Sequence, residues 1–258
     1  MQLLLPFLVI CLYLGTAWQF YRATRSHSSS FTALAFLFAA CQLHAFLLIT
    51  TIGNTLNFSI FNVVSAFAWS VAVLSFFWLW KKQMALGGVI ISIVNASLVV
   101  LAAVFVSRKP FLSNLQGGMI WHILLSMAAW TVLTIALIHN VLFMYLFQRL
   151  KNKRLKNTNL ASLANLERIS VLYLLLGFLL LLAALMSGWM FVENLFAQHL
   201  WHKTVLTMLS AAVYGWTLFL YYGRHYRGLI IVYWAFAAYA LLMMGYVISN
   251  IVLQFFIK

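Results

Sequence analysis

The sequence predicts an all-α integral membrane protein, a bundle of about eight transmembrane helices. Three observations carry that expectation. Hydrophobic residues make up 66% of the 258 and charged residues only 7%, where a soluble domain carries about 25%. Mean hydropathy is +1.02. The apolar residues also come in runs of the length that crosses a bilayer as a helix, about 20 residues, with mostly short connections between them.

Taken in order, the expected spans are Leu3–Tyr21, Phe31–Ile52, Ile60–Trp80, Leu86–Val106, Met119–Phe147, Leu166–Val192, Trp201–Tyr222 and Leu229–Ile257. The first has no basic stretch ahead of it, so it reads as a retained helix and not a cleaved leader. Cys11 and Cys41 lie inside the first two runs and form no CxxC, which marks them as small core residues. The fifth run is the longest and opens after Gly117-Gly118. A polar stretch, Gln148 to Asn165, follows it and carries Arg149, Lys151, Lys153, Arg154 and Lys156, too much charge for burial. No internal repeat or second domain shows, so residues 1–258 are expected to form a single transmembrane helical domain.

The net charge is +14, with only Glu167 and Glu193 as acids. In a soluble chain that balance would suggest nucleic acid. Here the charges sit in loops between apolar runs and read as orientation signals, so the expected partner is the lipid bilayer and not nucleic acid. Twelve of the 16 Lys and Arg follow spans one, three, five and seven. The positive-inside rule then puts both termini on the extracytoplasmic side. Trp121 and Trp201 fall at the outer interface, where indole rings prefer to lie. Glu193 and Lys203 flank the last outer loop and are expected close together.

Chemistry is confined to the histidines. The chain has no paired carboxylates, no phosphate-cradling glycine loop and no zinc spacing. A polar residue in a membrane span is costly and is a site candidate by default. His122 stands one turn inside the outer end of span five, with Ser126, Ala129 and Trp130 on its face. His202 opens span seven at matched depth, between Trp201 and Lys203. His44 lies inside span two, about 12 Å from its outer end, where a ligand or a buried hydrogen bond is expected. His139 shares span five with His122, but it lies roughly 25 Å deeper and turned some 100° away, so the two share no ligand on one face. His199 falls in the outer loop, and His27 and His225 in basic inner loops, all exposed to solvent.

Several stretches carry a family likeness. They are Trp121-His122 with Ser126 and Trp130; Leu166-Glu167-Arg168; Ser187-Gly188; His202-Lys203-Thr204; Leu43-His44-Ala45; and Leu56-Asn57 with Phe61-Asn62 and Trp69. The sequence resembles the cytochrome c assembly protein family (CcsA/CcmC-like), and within it the YpjD/HemX-like inner-membrane branch. The likeness covers most of the chain and implies haem handling for cytochrome c biogenesis in a bacterial inner membrane. By position, His122 matches the family's first external histidine, and His44 matches a histidine in an early helix. The family's tryptophan-rich signature before span seven is reduced here to Asn194–Thr204, with Lys203 on the signature's lysine. Its external histidine after the last helix is absent, so the resemblance does not carry complete haem lyase activity with it.

A haem in a helix bundle takes one or two axial imidazoles from different helices. The resemblance implies haem, expected to be non-covalent and b-type. The matched depth of His122 and His202 on different helices is what suggests a ring held between them near the outer face, with His44 holding a second ring or bonding the first. Trp121 and Trp201 would pack the macrocycle, Lys203 would meet its propionates, and other cytochrome c assembly proteins would be partners. The alternatives are a cofactor-free membrane partner or regulatory protein on the same fold, and a small-molecule transporter, which would show broken helices or buried charge.

Overall fold

A computed structural model describes residues 4–26, 30–53, 60–82, 85–104, 117–152, 163–191 and 201–255. They form eight α-helices, with no strand among the described residues: α1 (Leu4–Ser26), α2 (Phe31–Leu48), α3 (Ile60–Lys82), α4 (Ala85–Val104), α5 (Gly117–Lys151), α6 (Leu163–Phe191), α7 (Trp201–Tyr222) and α8 (Leu229–Phe255). Seven are long and apolar enough to cross a membrane, and the apolar stretch Leu229–Gly245 of α8 is a shorter eighth. This is a multi-span membrane protein of the expected class.

The helices match the expected spans one for one and differ mainly at their charged ends. α1 runs on past Arg22 to Ser26, and α5 past Arg149 to Lys151. Hydropathy falls at the first charge, but a helix does not stop there. A basic side chain in the last turn is favoured by the negative end of the helix dipole. It also lies over the side chain one turn back, as Arg25 covers the Tyr21 ring and Arg149 the Tyr145 ring. The two prolines respect the same physics: Pro6 sits in the first turn of α1, where a missing N–H costs little, and Pro110 lies between α4 and α5. α2 ends in a π-helical turn, Ile49–Gly53. There the Thr50 and Thr51 hydroxyls donate to the Leu47 carbonyl, both at 2.8 Å, and compete with the regular ladder.

Two compact units make up the chain, Met1–Leu115 and Gln116–Lys258. In the first, α1 neighbours α2, α2 neighbours α3, α3 neighbours α4, and α4 returns to α1. In the second, α5, α6, α7 and α8 close a ring in the same way. Each helix buries one stripe and leaves the rest to lipid. On α4 the buried stripe is Gly87, Gly88, Ile91, Ser92, Asn95, Ala96 and Val99, spaced three and four apart as one helix face requires. On α6 it runs from Leu166 through Leu174, Gly177, Leu181 and Ala184 to Gly188.

The α5–α6 pair fixes the geometry that matters below. Its antiparallel register is readable from side-chain pairs at successive depths. Asn140 accepts a hydrogen bond from Ser170 at 2.7 Å, Leu133 lies on Gly177, His122 meets Ser187, and the Phe191 ring lies on Gly118. At Gly177 the backbones come so close that an added Cβ would sit 2.6 Å from the Leu133 side chain and 3.3 Å from its backbone nitrogen. Close approach through small residues is how membrane helices gain dispersion contacts when no hydrophobic effect drives them together.

At the other end of this unit, α6 is tied to the α7–α8 turn. The Gly228 backbone N–H donates to the Glu167 carboxylate at 2.8 Å, which places an acid at the positive end of α8. In the same turn, Arg227 stacks 3.6 Å over the Tyr221 ring and donates to the Tyr221 carbonyl.

Candidate functional site

His122 stands one turn into α5 and is half-buried against α6. Its Nδ1 lies 2.9 Å from the Ala184 carbonyl oxygen and 3.1 Å from the Ser187 hydroxyl. A carbonyl can only accept, so Nδ1 carries the proton and donates. Ser187 in turn donates its own hydroxyl to the Ala184 carbonyl at 2.8 Å. One ring nitrogen is thus anchored to α6, while Nε2 makes no hydrogen bond among the described residues.

The local sequence explains the placement. Gly118, one turn before His122, is roofed by the ring of Phe191, one turn after Ser187. A side chain at residue 118 would collide with that ring, so either the ring or the first turn of α5 would have to shift. Lys203, in the first turn of α7, lies within electrostatic reach of His122. Gly245 of α8 seats that turn closely, since a Cβ there would lie 3.1 Å from Leu206.

His44 has different surroundings. It is 0% exposed in the first unit. The Tyr13 hydroxyl of α1 lies 3.1 Å from its Nδ1, and the Ser65 hydroxyl of α3 lies 2.9 Å from its Nε2. Tyr13 also meets the imidazole edge to face, ring centroids 5.7 Å apart. Both nitrogens are therefore occupied, and the imidazole joins three helices through one polar thread. Next to it, the Trp69 indole N–H of α3 donates to the Cys41 carbonyl of α2 at 2.9 Å.

Residues 27–257 match the model of a family described as cytochrome C assembly protein. The chain belongs to the cytochrome c assembly protein family. It is similar to the inner membrane protein YpjD of Escherichia coli strain K12, 30% identical over 172 residues that cover 65% of each chain. The proteins of the same name from strains CFT073 and O157:H7 match to the same extent. The similar stretch thus spans just under two thirds of those relatives' length. No solved structure matches.

In this family member, the residues singled out from the sequence fall as follows. Trp121 is 65% exposed beside His122, and Trp201 is exposed at the start of α7. His202 is the second residue of α7, and the direction of its imidazole lies outside what is described. His199, His27 and Glu193 lie outside the described residues, so the Glu193–Lys203 pairing does as well. His225 is exposed in the α7–α8 turn. His139 is buried, donates Nδ1–H to the Ile135 carbonyl one turn back at 2.7 Å, and packs on the Tyr173 ring. Ala129, expected beside the His122 imidazole, is fully buried in the core of its unit, and the partners of that imidazole come from α6 instead. Sequence reasoning did not find Ala184 and Ser187 as those partners. Ser187-Gly188 stood out only as family likeness, and nothing in one sequence says which turn of α6 faces residue 122.

Proposed function

We propose that this membrane protein holds a b-type haem non-covalently near its outer face, as part of haem handling for cytochrome c biogenesis, with His122 and His202 as the axial histidines. The observation that carries the proposal is the half-engaged imidazole of His122: one nitrogen is anchored to α6, and the other makes no hydrogen bond among the described residues. Among the described residues no three His, Cys, Asp or Glu side chains gather in a way that would hold a bare metal ion. Haem asks less, because the porphyrin supplies four of the iron's ligands and the protein only one or two.

The family supports haem as the cargo, and the relatives named inner membrane proteins support a bacterial inner-membrane location. Bound haem supplies an iron centre whose potential is set by its axial ligands, their hydrogen bonds and burial. The chain's own residues do the rest. His122 is oriented by α6. Lys203 places a cation near it, suited to a carboxylate such as a propionate. Trp121 and Trp201 offer flat apolar surfaces at the same end, and other cytochrome c assembly proteins would be the partners. His44 has no nitrogen to spare in its present bonds, so it enters this proposal as an anchor of the first unit.

The test is an absorption spectrum of the wild-type protein purified from haem-replete cells. A Soret band with a low-spin α-band is expected. A colourless protein overturns the haem proposal and leaves a cofactor-free membrane partner in its place.

The proposal also needs residue 122 on the outer side, which follows from both termini being extracytoplasmic. Reporter fusions at Lys156 and at Lys258 are therefore expected to report opposite sides, with Lys156 inside. Both reporting one side would overturn the orientation.

A further inference from the structure

We propose that Ser187 is a positioning residue for His122. Together with the Ala184 carbonyl it holds the imidazole as the Nδ1–H tautomer, so that Nε2 is the nitrogen presented to a metal. The part that concerns iron rests on the haem reading above; the tautomer stands on the geometry alone.

Three distances define the arrangement. His122 Nδ1 lies 2.9 Å from the Ala184 carbonyl oxygen and 3.1 Å from Ser187 Oγ, and Ser187 Oγ lies 2.8 Å from the same carbonyl oxygen. Only one assignment of protons satisfies all three. The carbonyl oxygen accepts from both; the Ser187 hydroxyl spends its proton on the carbonyl and accepts with a lone pair; and Nδ1–H is shared between the two acceptors. With Nε2 protonated instead, Nδ1 would turn a lone pair toward the carbonyl oxygen, and two acceptors would face each other at 2.9 Å. That repulsion in a half-buried setting selects the tautomer.

The arrangement has the form that metal-binding histidines generally adopt. The ring nitrogen away from the metal donates to a carbonyl or carboxylate, which fixes the ring's orientation and raises the basicity of the other nitrogen. The frame is rigid because both acceptors stand on one turn of α6, and that turn is registered against α5 by Phe191 seated on Gly118. His44 provides the contrast within the same chain. Its partners are both hydroxyls, which can each donate or accept, so its hydrogen bonds select no tautomer.

The experiment uses full-length protein labelled with ¹⁵N at histidine, in bilayers and stripped of haem, with His122→Gln identifying the His122 signals. Wild type is expected to show His122 with Nδ1 protonated and Nε2 bare. Ser187→Ala removes one of the two acceptors of Nδ1–H and is expected to shift the Nδ1–H signal while the Ala184 carbonyl keeps Nε2 bare, and Ser187→Thr, which keeps the hydroxyl, to restore it. On haem loading, Ser187→Ala should bind about 10-fold more weakly, the low end of what loss of such a partner costs, and its reduction potential should rise as the imidazole becomes a weaker donor. A wild-type His122 protonated at Nε2 overturns the proposal. So does a Ser187→Ala variant identical to wild type in both the nitrogen signals and haem affinity. A wild type with the expected tautomer that takes up no haem bears out the positioning and removes the haem reading alone.

Discussion

His122→Ala is expected to strip haem from the protein, or to convert the remainder from a low-spin to a high-spin spectrum. The loss should exceed the roughly 10–100-fold that removing a hydrogen-bond partner of a ligand costs, because an axial ligand itself disappears. The measurement is the Soret and α-band intensity per protein after purification, with free imidazole added back to fill the vacated position. The fold should survive, since His122 is only half-buried and its hydrogen bonds hold a single helix pair. His139→Ala is the matched control on the same helix. It removes a buried imidazole that bonds its own helix, roughly 25 Å further along α5, and should leave the spectrum unchanged. A His122→Ala protein with an unaltered spectrum would remove His122 from the site.

The second large effect is expected at His44, and it is one of stability. His44→Ala deletes a fully buried ring and orphans two hydroxyls on two other helices. Each interhelical hydrogen bond in a membrane is worth about 0.6 kcal/mol on average and at most about 1.7. The cavity adds more, since large-to-alanine changes in packed cores cost about 2–5 kcal/mol. The sum is a loss of about 3 kcal/mol or more, read as a lower unfolding midpoint in detergent. Tyr13→Phe and Ser65→Ala remove one partner each and should cost only about 0.6–1.7 kcal/mol. An undiminished midpoint in His44→Ala, together with loss of haem, would instead make His44 a ligand.

Much of this architecture was legible in the sequence. Eight apolar runs gave eight helices because the bilayer sets both the length and the composition of a span. The ends of α1 and α5 were misplaced, because hydropathy measures transfer into hydrocarbon, whereas Arg25 and Arg149 continue their helices beyond it. The histidines were legible as exceptions in apolar segments. Their partners were not: Ala184 contributes only a backbone carbonyl, which every residue has, and Tyr13 and Ser65 lie 31 and 21 positions from His44. Such pairings depend on how neighbouring helices are rotated and registered. In the α5–α6 pair, contacts like Gly177 against Leu133 fix the register, and no periodicity within either helix encodes them.

The closed neighbour rings within each unit bear on how the chain is made. Every helix of the first unit finds its two main neighbours within Met1–Leu115. The thread from Tyr13 through His44 to Ser65 is complete before α4 is synthesised, and α4 needs only to dock on α1 and α3. Polypeptides leave the ribosome amino end first, and units with local contacts fold as they emerge. The first four helices can therefore assemble in the membrane while the second four are still being translated. On that schedule the anchor at His44 is set early, and the imidazole of His122 meets Ser187 only after α6 has left the translocon.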